Sequence, residues 1–184
     1  MIDMNVMRIG GIKSSLSGEK FFVDTNIWLY QSYVSGAFFS EHSQEKAANY
    51  SDFIQKVLSD NGKLFTSALC LSEVAHVLEK KSFEIYKAKQ HSCTLKQFRA
   101  IKTERDKIIS VVTDVWEEIK SLSTIIEMNM AIDNGDLILK KLSIAPLDAY
   151  DAQYLIMMEK NNISNILTDD KDFRSIASID VYTI

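Results

Sequence analysis

The 184-residue sequence has one proline, six glycines and two cysteines. With so little proline and glycine, no linker divides the chain, and no internal repeat is visible. A single domain over residues 1–184 is the expected organisation, with a polar lead-in over residues 1–20. Cys70 and Cys93 show no CxxC spacing, and His42, His76 and His91 form no zinc-ligand pair. A structural zinc site is therefore not expected. Two reduced thiols are the simple reading of the cysteines, although one disulfide between them remains open. No apolar run approaches the ~18 residues of a membrane span. Asp3, Asn5, Arg8 and Gly10–Gly11 interrupt the first twenty residues before a signal-peptide core can form. These absences predict a soluble, cytoplasmic protein with no membrane partner.

Positive charge is also short overall. The formal net charge is −4 and the pI about 5.4, which by itself argues against a protein that coats nucleic acid. Hydrophobic residues make up 46% of the chain, enough for a packed core and too many for a disordered chain.

Short apolar runs alternate with helical patterns. Phe21–Phe22–Val23 reads as a buried strand that stops at Asp24–Thr25–Asn26. Residues 42–59 read as a helix, Leu64–Phe65–Thr66 as a second strand, and Ser67 as the cap of the next helix. Residues 95–122 carry the strongest helical periodicity, through Phe98, Ile101, Ile108, Val112, Val115, Trp116, Ile119 and Leu122. Thr124–Ile126 reads as a strand and Gly135–Leu142 as a helix. Pro146 is expected to open a helix running to Lys160. Ile163–Leu167 reads as a strand, Phe173–Ile176 as a helical turn and Ile179–Ile184 as a last strand. The alternation predicts an α/β three-layer sandwich with a mostly parallel central sheet, and residues 79–123 form an enlarged helical arm.

In such sheets, ligands sit beyond the carboxyl ends of the strands. Acids recur there: Asp24 after the first strand, Glu73 on the helix after the second, Asp148 and Asp151 after Pro146, and Asp169, Asp170 and Asp172 after Leu167. Converging carboxylates repel one another, and hard divalent cations relieve that repulsion. About four carboxylates without His or Cys suit Mg²⁺ or Mn²⁺ better than zinc. Each acid alone has a plainer reading: Asp24 and Asp148 as helix caps, and the last three as turn residues. Glu73, on a helix of inward-facing apolar residues, is harder to explain that way.

The segments Phe22–Val23–Asp24–Thr25–Asn26–Ile27, Ser72–Glu73–Val74, Asp151–Ala152 and Leu167–Thr168–Asp169–Asp170–Lys171–Asp172–Phe173 resemble the successive motifs of PIN-domain ribonucleases, many of which are VapC-type toxins of toxin–antitoxin pairs. The resemblance runs from about Phe21 to the C-terminus. It places the family's four acids on Asp24, Glu73, Asp151 and Asp170, as catalytic and metal-holding residues. Asp172 matches a second acid of the closing motif, and Asn26 and Thr168 match polar positions that support the metal site. Asp148 and Asp169 have no fixed family place and stand as substitutes. The resemblance implies Mg²⁺- or Mn²⁺-dependent hydrolysis of RNA phosphodiester bonds, an antitoxin partner and a homodimer. A phosphodiester needs charge neutralisation and an activated water, and bound metal provides both.

The net charge conceals an uneven distribution. Residues 78–107 hold nine basic residues against four acidic, a net of +5, and residues 144–184 hold seven acidic against three basic, a net of −4. Lys80, Lys81, Lys87, Lys89, Lys96 and Arg99 are candidate RNA contacts, with Tyr86, His91 and Phe98 as candidate stacking partners. A solvated arm that packs on a second subunit explains the same run equally well. Tyr30, Tyr33 and Phe38–Phe39 read as core or as a partner groove, and His76 as a structural histidine. Two rival functions remain. An aspartyl phosphatase wants an Asp two residues after the first, where this chain has Asn26. A non-catalytic PIN-like module that binds RNA or protein would not need to retain four costly acids.

Overall fold

The computed structural model describes residues 5–33, 41–89, 92–127 and 132–184. Among these, Val6–Arg8 (β1), Lys20–Val23 (β2), Lys63–Ser67 (β3), Thr124–Ile126 (β4), Asn165–Leu167 (β5) and Asp180–Thr183 (β6) form one sheet in the order β1-β6-β5-β2-β3-β4. Every pairing is parallel, and central β2 sets Phe22 beside both Phe65 and Ile166. The described helices are Thr25–Tyr33 (α1), Glu41–Ser59 (α2), Ala68–Ala88 (α3), Leu95–Arg99 (α4), Lys102–Leu122 (α5), Ile132–Ile144 (α6) and Ala149–Lys160 (α7).

β2 shows why the layers form. Phe21, Phe22 and Val23 are all 0% exposed, and successive side chains of a strand point to opposite faces. Phe21 and Val23 pack with Trp28, Tyr50, Ile54, Val57 and Ile119, from α1, α2 and α5. Phe22 packs on the other face with Tyr154, Met158 and Ile166. A parallel sheet covered on both faces reads as a continuous apolar run, which is the pattern Phe21–Val23 carries. The α/β sandwich is therefore present, and its sheet is parallel in every described pairing.

Turn chemistry closes the units. α2 is followed by a turn through Asn61, in the left-handed region at φ 61°, and Gly62. A Cβ at Gly62 would lie 2.8 Å from Val57 Cγ1 and 3.0 Å from two carbonyl oxygens, so only glycine lets the chain pass. Ser67 caps α3 by accepting from Leu69 N–H. The first half of α3 buries Cys70, Val74 and Leu78. Beyond Leu78 no residue of the helix is fully buried, and its second half packs Phe83 and Tyr86 on Phe98 of α4.

Several expectations need correction. The periodic stretch 95–122 is two helices: α4 starts at a Thr94–Gln97 capping box, and Ile101 is extended at φ −75°, ψ 102°. The apolar stripe itself skips from Ile101 to Ile108. α4 buries Phe98 against Phe83 and Tyr86, whereas α5 buries Val115 and Ile119. Pro146 does not open α7; Asp148 caps it and Ala149 is its first residue. The lead-in contains β1, which pairs with β6 at the sheet edge. α1 had no sequence counterpart beyond the polar triplet at its start. α6 extends beyond Gly135–Leu142 at both ends. Phe38–Phe39 and His91 lie outside the described residues.

Candidate active site

Asp24 sits at the joint between β2 and α1. Its N–H donates to Leu167 O at 3.1 Å and its C=O accepts from Ile27 N–H at 3.1 Å, fixing it between sheet and helix. The residue is 6% exposed. Its Oδ1 accepts from Thr25 N–H at 2.6 Å, and Oδ2 accepts from Asn26 Nδ2 at 2.7 Å and Thr168 Oγ1 at 2.6 Å. Burial pushes its pKa from 3.8 up to about 7 against those hydrogen bonds, and the charges of Glu73 and Asp170 add to the rise. A carboxylate has about four lone-pair positions, so three protein donors leave Asp24 roughly one for a cation.

α3 brings Glu73 to the same place. Its Oε2 accepts from Thr25 Oγ1 at 2.5 Å and from the Tyr154 hydroxyl. Burial raises its pKa, those two hydrogen bonds oppose the rise, and Asp148 adds to it. Tyr154 comes from α7 and is 1% exposed. Its hydroxyl also lies 2.8 Å from Thr25 Oγ1, so Thr25 and Tyr154 together hold Glu73 toward Asp24.

α7 starts with a reciprocal cap. Asp148 Oδ1 accepts from Tyr150 and Asp151 N–H at 2.7 and 2.9 Å, and Asp151 Oδ2 accepts from Asp148 N–H at 3.4 Å. The cap turns Asp151 inward at 9% exposure. Burial pushes its pKa from 3.8 up to about 8, followed by the charges of Asp148, Asp24 and Asp170.

The turn after β5 completes the arrangement. Fully buried Thr168 donates to Asp24 and accepts from Asp170 N–H at 2.9 Å. Asn26 bridges the two strand ends, donating to Asp24 and to Thr168 Oγ1 while its Oδ1 accepts from Asp169 N–H at 3.3 Å. Asp172 N–H donates to Asp170 Oδ1 at 2.9 Å. One oxygen each of Asp151, Asp170 and Asp172 lies within 4.8 Å of the others. A cleft of about 440 Å³ opens beside Asn26, Asp169, Asp170, Lys171 and Asp172.

The structure thus brings Glu73, Asp151 and Asp170 each into electrostatic reach of Asp24, while the acids close enough to share one ion among the described residues are Asp151, Asp170 and Asp172; Asn26 and Thr168 hold the Asp24 carboxylate. Two other acids have different work. Asp148 is the α7 cap. Asp169 borders the same cleft, but its carboxylate is engaged elsewhere, accepting from Lys46 Nζ at 2.7 Å, Tyr30 OH at 3.1 Å and Tyr50 OH at 3.4 Å. The donor set is oxygen only. Cys70 is buried behind it, with its thiol pushed up to about 12 chiefly by burial, so it offers no thiolate. Crowded, raised carboxylates with oxygen donors fit a hard divalent cation.

Sequence reasoning missed Thr25 and Tyr154 as supports of Glu73. Thr25 had a signal, standing between Asp24 and Asn26. Tyr154 had none, because its ring follows the apolar pattern of α7 and only its hydroxyl reaches the site. In the arm, Arg99 Nε and Nη2 pair with Glu79 at 2.6 and 2.5 Å, and Phe98, 1% exposed, is core between α3 and α4 and offers no stacking face. Lys80, Lys87, Lys89 and Lys96 are exposed and Lys81 is half-buried.

A family model for the PIN domain matches residues 21–179. The fold is similar to that of a chain in the crystal structure of VapBC2 from Rickettsia felis bound to a DNA fragment from their promoter. The TM-score is 0.52 over 90% of this chain and 99% of that chain, at 14% identity. No curated protein matches the sequence.

Proposed function

Because the chain belongs to the PIN-domain family, we propose that it is a divalent-metal-dependent endoribonuclease, a hydrolase of RNA phosphodiester bonds, and the toxin of a toxin–antitoxin pair. The observation that carries this reading is the convergence of four acids at the carboxyl edge of the sheet, two of them with pKa values pushed to about 7 and 8. Unneeded buried carboxylates are costly, and a site that holds several together against repulsion is built for a cation.

Asp24, Glu73, Asp151 and Asp170 would hold Mg²⁺ or Mn²⁺, with Asp172 at the open side. When bound, the ion would neutralise charge on the scissile phosphate and lower the pKa of water. The chain's own residues do the rest. Asn26 and Thr168 hold Oδ2 of Asp24 and the Thr25 N–H holds Oδ1, all without adding charge. Thr25 and Tyr154 do the same for Glu73. The α7 cap aims Asp151, and the Thr168 hydroxyl ties Asp170's backbone to Asp24. Lys46 neutralises Asp169, so the negative charge left without a cation rests on the acids grouped around Asp24.

The antitoxin partner is supported by the fold likeness to a VapBC2 chain and by the resemblance to VapC-type toxins. A homodimer and a cytoplasmic location belong to the same reading. The test is direct. Purified chain with Mn²⁺ should cleave RNA, and Asp24→Asn should abolish cleavage while leaving the fold intact. No cleavage by the wild-type chain, or equal cleavage by Asp24→Asn, would sink the nuclease reading. Calorimetry checks the metal separately: Mn²⁺ binding should be lost in Asp170→Asn.

A further inference from the structure

Residues 79–123 lie outside the motifs that carry the family resemblance, and their geometry separates cations in use from cations that are free to act. Arg99 pairs with Glu79, Lys102 with Asp106 at 2.5 Å, and Lys107 with Glu104 at 2.7 Å. Lys81 is half-buried; burial lowers its pKa and Glu84 opposes that shift. Arg105 faces the groove between α3 and α5.

Positions 73, 80 and 87 are seven residues apart on one continuous helix, α3. Seven residues rotate an α-helix about 20° short of two turns and advance it ~10.5 Å. Lys80 and Lys87 therefore continue, along one face, the line that begins at Glu73 in the acid cluster. Leu78 is the last fully buried residue of α3; beyond it Phe83 and Tyr86 pack on Phe98 of α4, while Lys80 and Lys87 are exposed. The Lys87 ammonium lies 5.5 Å from the Phe83 ring centroid, which keeps it close to the helix. Lys89 lies past the end of α3, and Lys96 is on α4.

We infer that α3 is the track along which a single RNA strand leaves the acid cluster, with Lys80 and then Lys87 holding successive stretches of its phosphate backbone. The inference rests on the nuclease reading and deepens it. One row of cations suits one strand; a duplex would need a second row for its second backbone. Lysine supplies a point charge on a flexible stem, so it holds phosphate without reading bases. The Lys80 and Lys87 backbones stand ~10.5 and ~21 Å along the helix from that of Glu73, so the two positions serve substrate binding rather than the chemical step.

The test uses the full chain and a labelled, mixed-sequence RNA of about 12 nucleotides, within the usual site size. Binding is measured against salt with a chelator present to prevent turnover. Each phosphate contact on a single strand contributes about 0.7 to the slope of log K against log salt. Lys80→Gln and Lys87→Gln should each lower the slope by about that amount and the double variant by about 1.4, while Arg99→Gln and Lys102→Gln leave it unchanged. In Mn²⁺-dependent cleavage the double variant should raise KM several-fold with kcat within twofold. An unchanged slope and KM in the double variant overturns the track, as do equal losses in Lys102→Gln or wild-type chain that binds no RNA. Loss of a dimer with RNA binding intact also overturns it, because the arm is then a subunit interface. If the slopes fall as expected but no metal supports cleavage, the track stands and the nuclease reading fails.

Discussion

Asp24→Asn should do two opposite things to the metal-free protein, depending on pH. In the wild type the carboxyl is shifted from 3.8 to about 7, chiefly by burial. That is roughly three units, and each unit is ~1.36 kcal/mol between protonation states. The folded value is above the unfolded one, so the native chain holds its proton longer. Stability is full below about pH 4, falls as pH rises through 7, and is lower by about 4 kcal/mol near pH 9. Asparagine does not titrate. It does replace one carboxylate oxygen with an NH₂ group, which faces the donors Thr25 N–H or Asn26 Nδ2. The lost hydrogen bond costs about 1 kcal/mol. The variant should be about 1 kcal/mol less stable than wild type near pH 4 and about 3 kcal/mol more stable near pH 9. For a chain of this size that is a Tm about 6–12 °C higher at the alkaline end. Thermal melts followed by far-UV circular dichroism, with chelator, at about pH 4 and 9 measure it. If the two melting curves shift in parallel with pH, or if the variant melts lower at pH 9, burial of Asp24 does not carry the cost assigned to it.

Other expectations follow from the same contacts. Asp151 titrates near 8 and Asp24 near 7 in the metal-free site, so Mn²⁺ binding should release protons and strengthen as pH rises through that range; calorimetry in two buffers of different ionisation enthalpy would contradict this by giving equal heats. Tyr154→Phe removes a donor to Glu73 and should weaken Mn²⁺ binding by about tenfold at a stability cost of about 1–2 kcal/mol, read by calorimetry and denaturant titration. Lys46→Met leaves Asp169 unpaired with its side chain 23% exposed, a loss of about 1–3 kcal/mol. Adding Asp169→Asn should recover part of that loss in a double-mutant cycle, and simple additivity would show that the pair is not coupled.

Most of the fold could be read from local signals. The continuous apolar run at Phe21–Val23, the cap at Ser67, the breaker at Asn61–Gly62 and the period of residues 102–122 are each properties of a few neighbouring residues. What escaped was decided elsewhere. β1 is a three-residue strand with one half-buried and two exposed side chains, so its sequence carries no burial pattern, and its only reason to be a strand is the free edge of β6. The break at Ile101 reflects two different partners, α3 for Phe98 and the main core for Val115 and Ile119. α1 is short and buries Ile27 and Trp28 without a clear polar face, so it has no amphipathic signature to read.

The sequence by itself determined the chemistry available: oxygen ligands only, a set of acids placed after strands, and a basic run set apart from them. These are matters of residue identity and order, and no folding step alters them. Only the tertiary structure decided which acids share a site. Asp169 and Asp170 are adjacent in the chain, yet one is drawn out to Lys46, Tyr30 and Tyr50 while the other faces Asp24 and Asp151. Tertiary structure likewise joined Thr25, Glu73 and Tyr154, from three helices, into one hydrogen-bonded group. It also spent Arg99 on Glu79, leaving Lys80 and Lys87 exposed on the face of α3 that leads away from the site. The physical reason is common to all three. Electrostatic and hydrogen-bond energies depend on distance and burial, and parallel crossovers bring together residues whose separation in the chain says nothing about their separation in space.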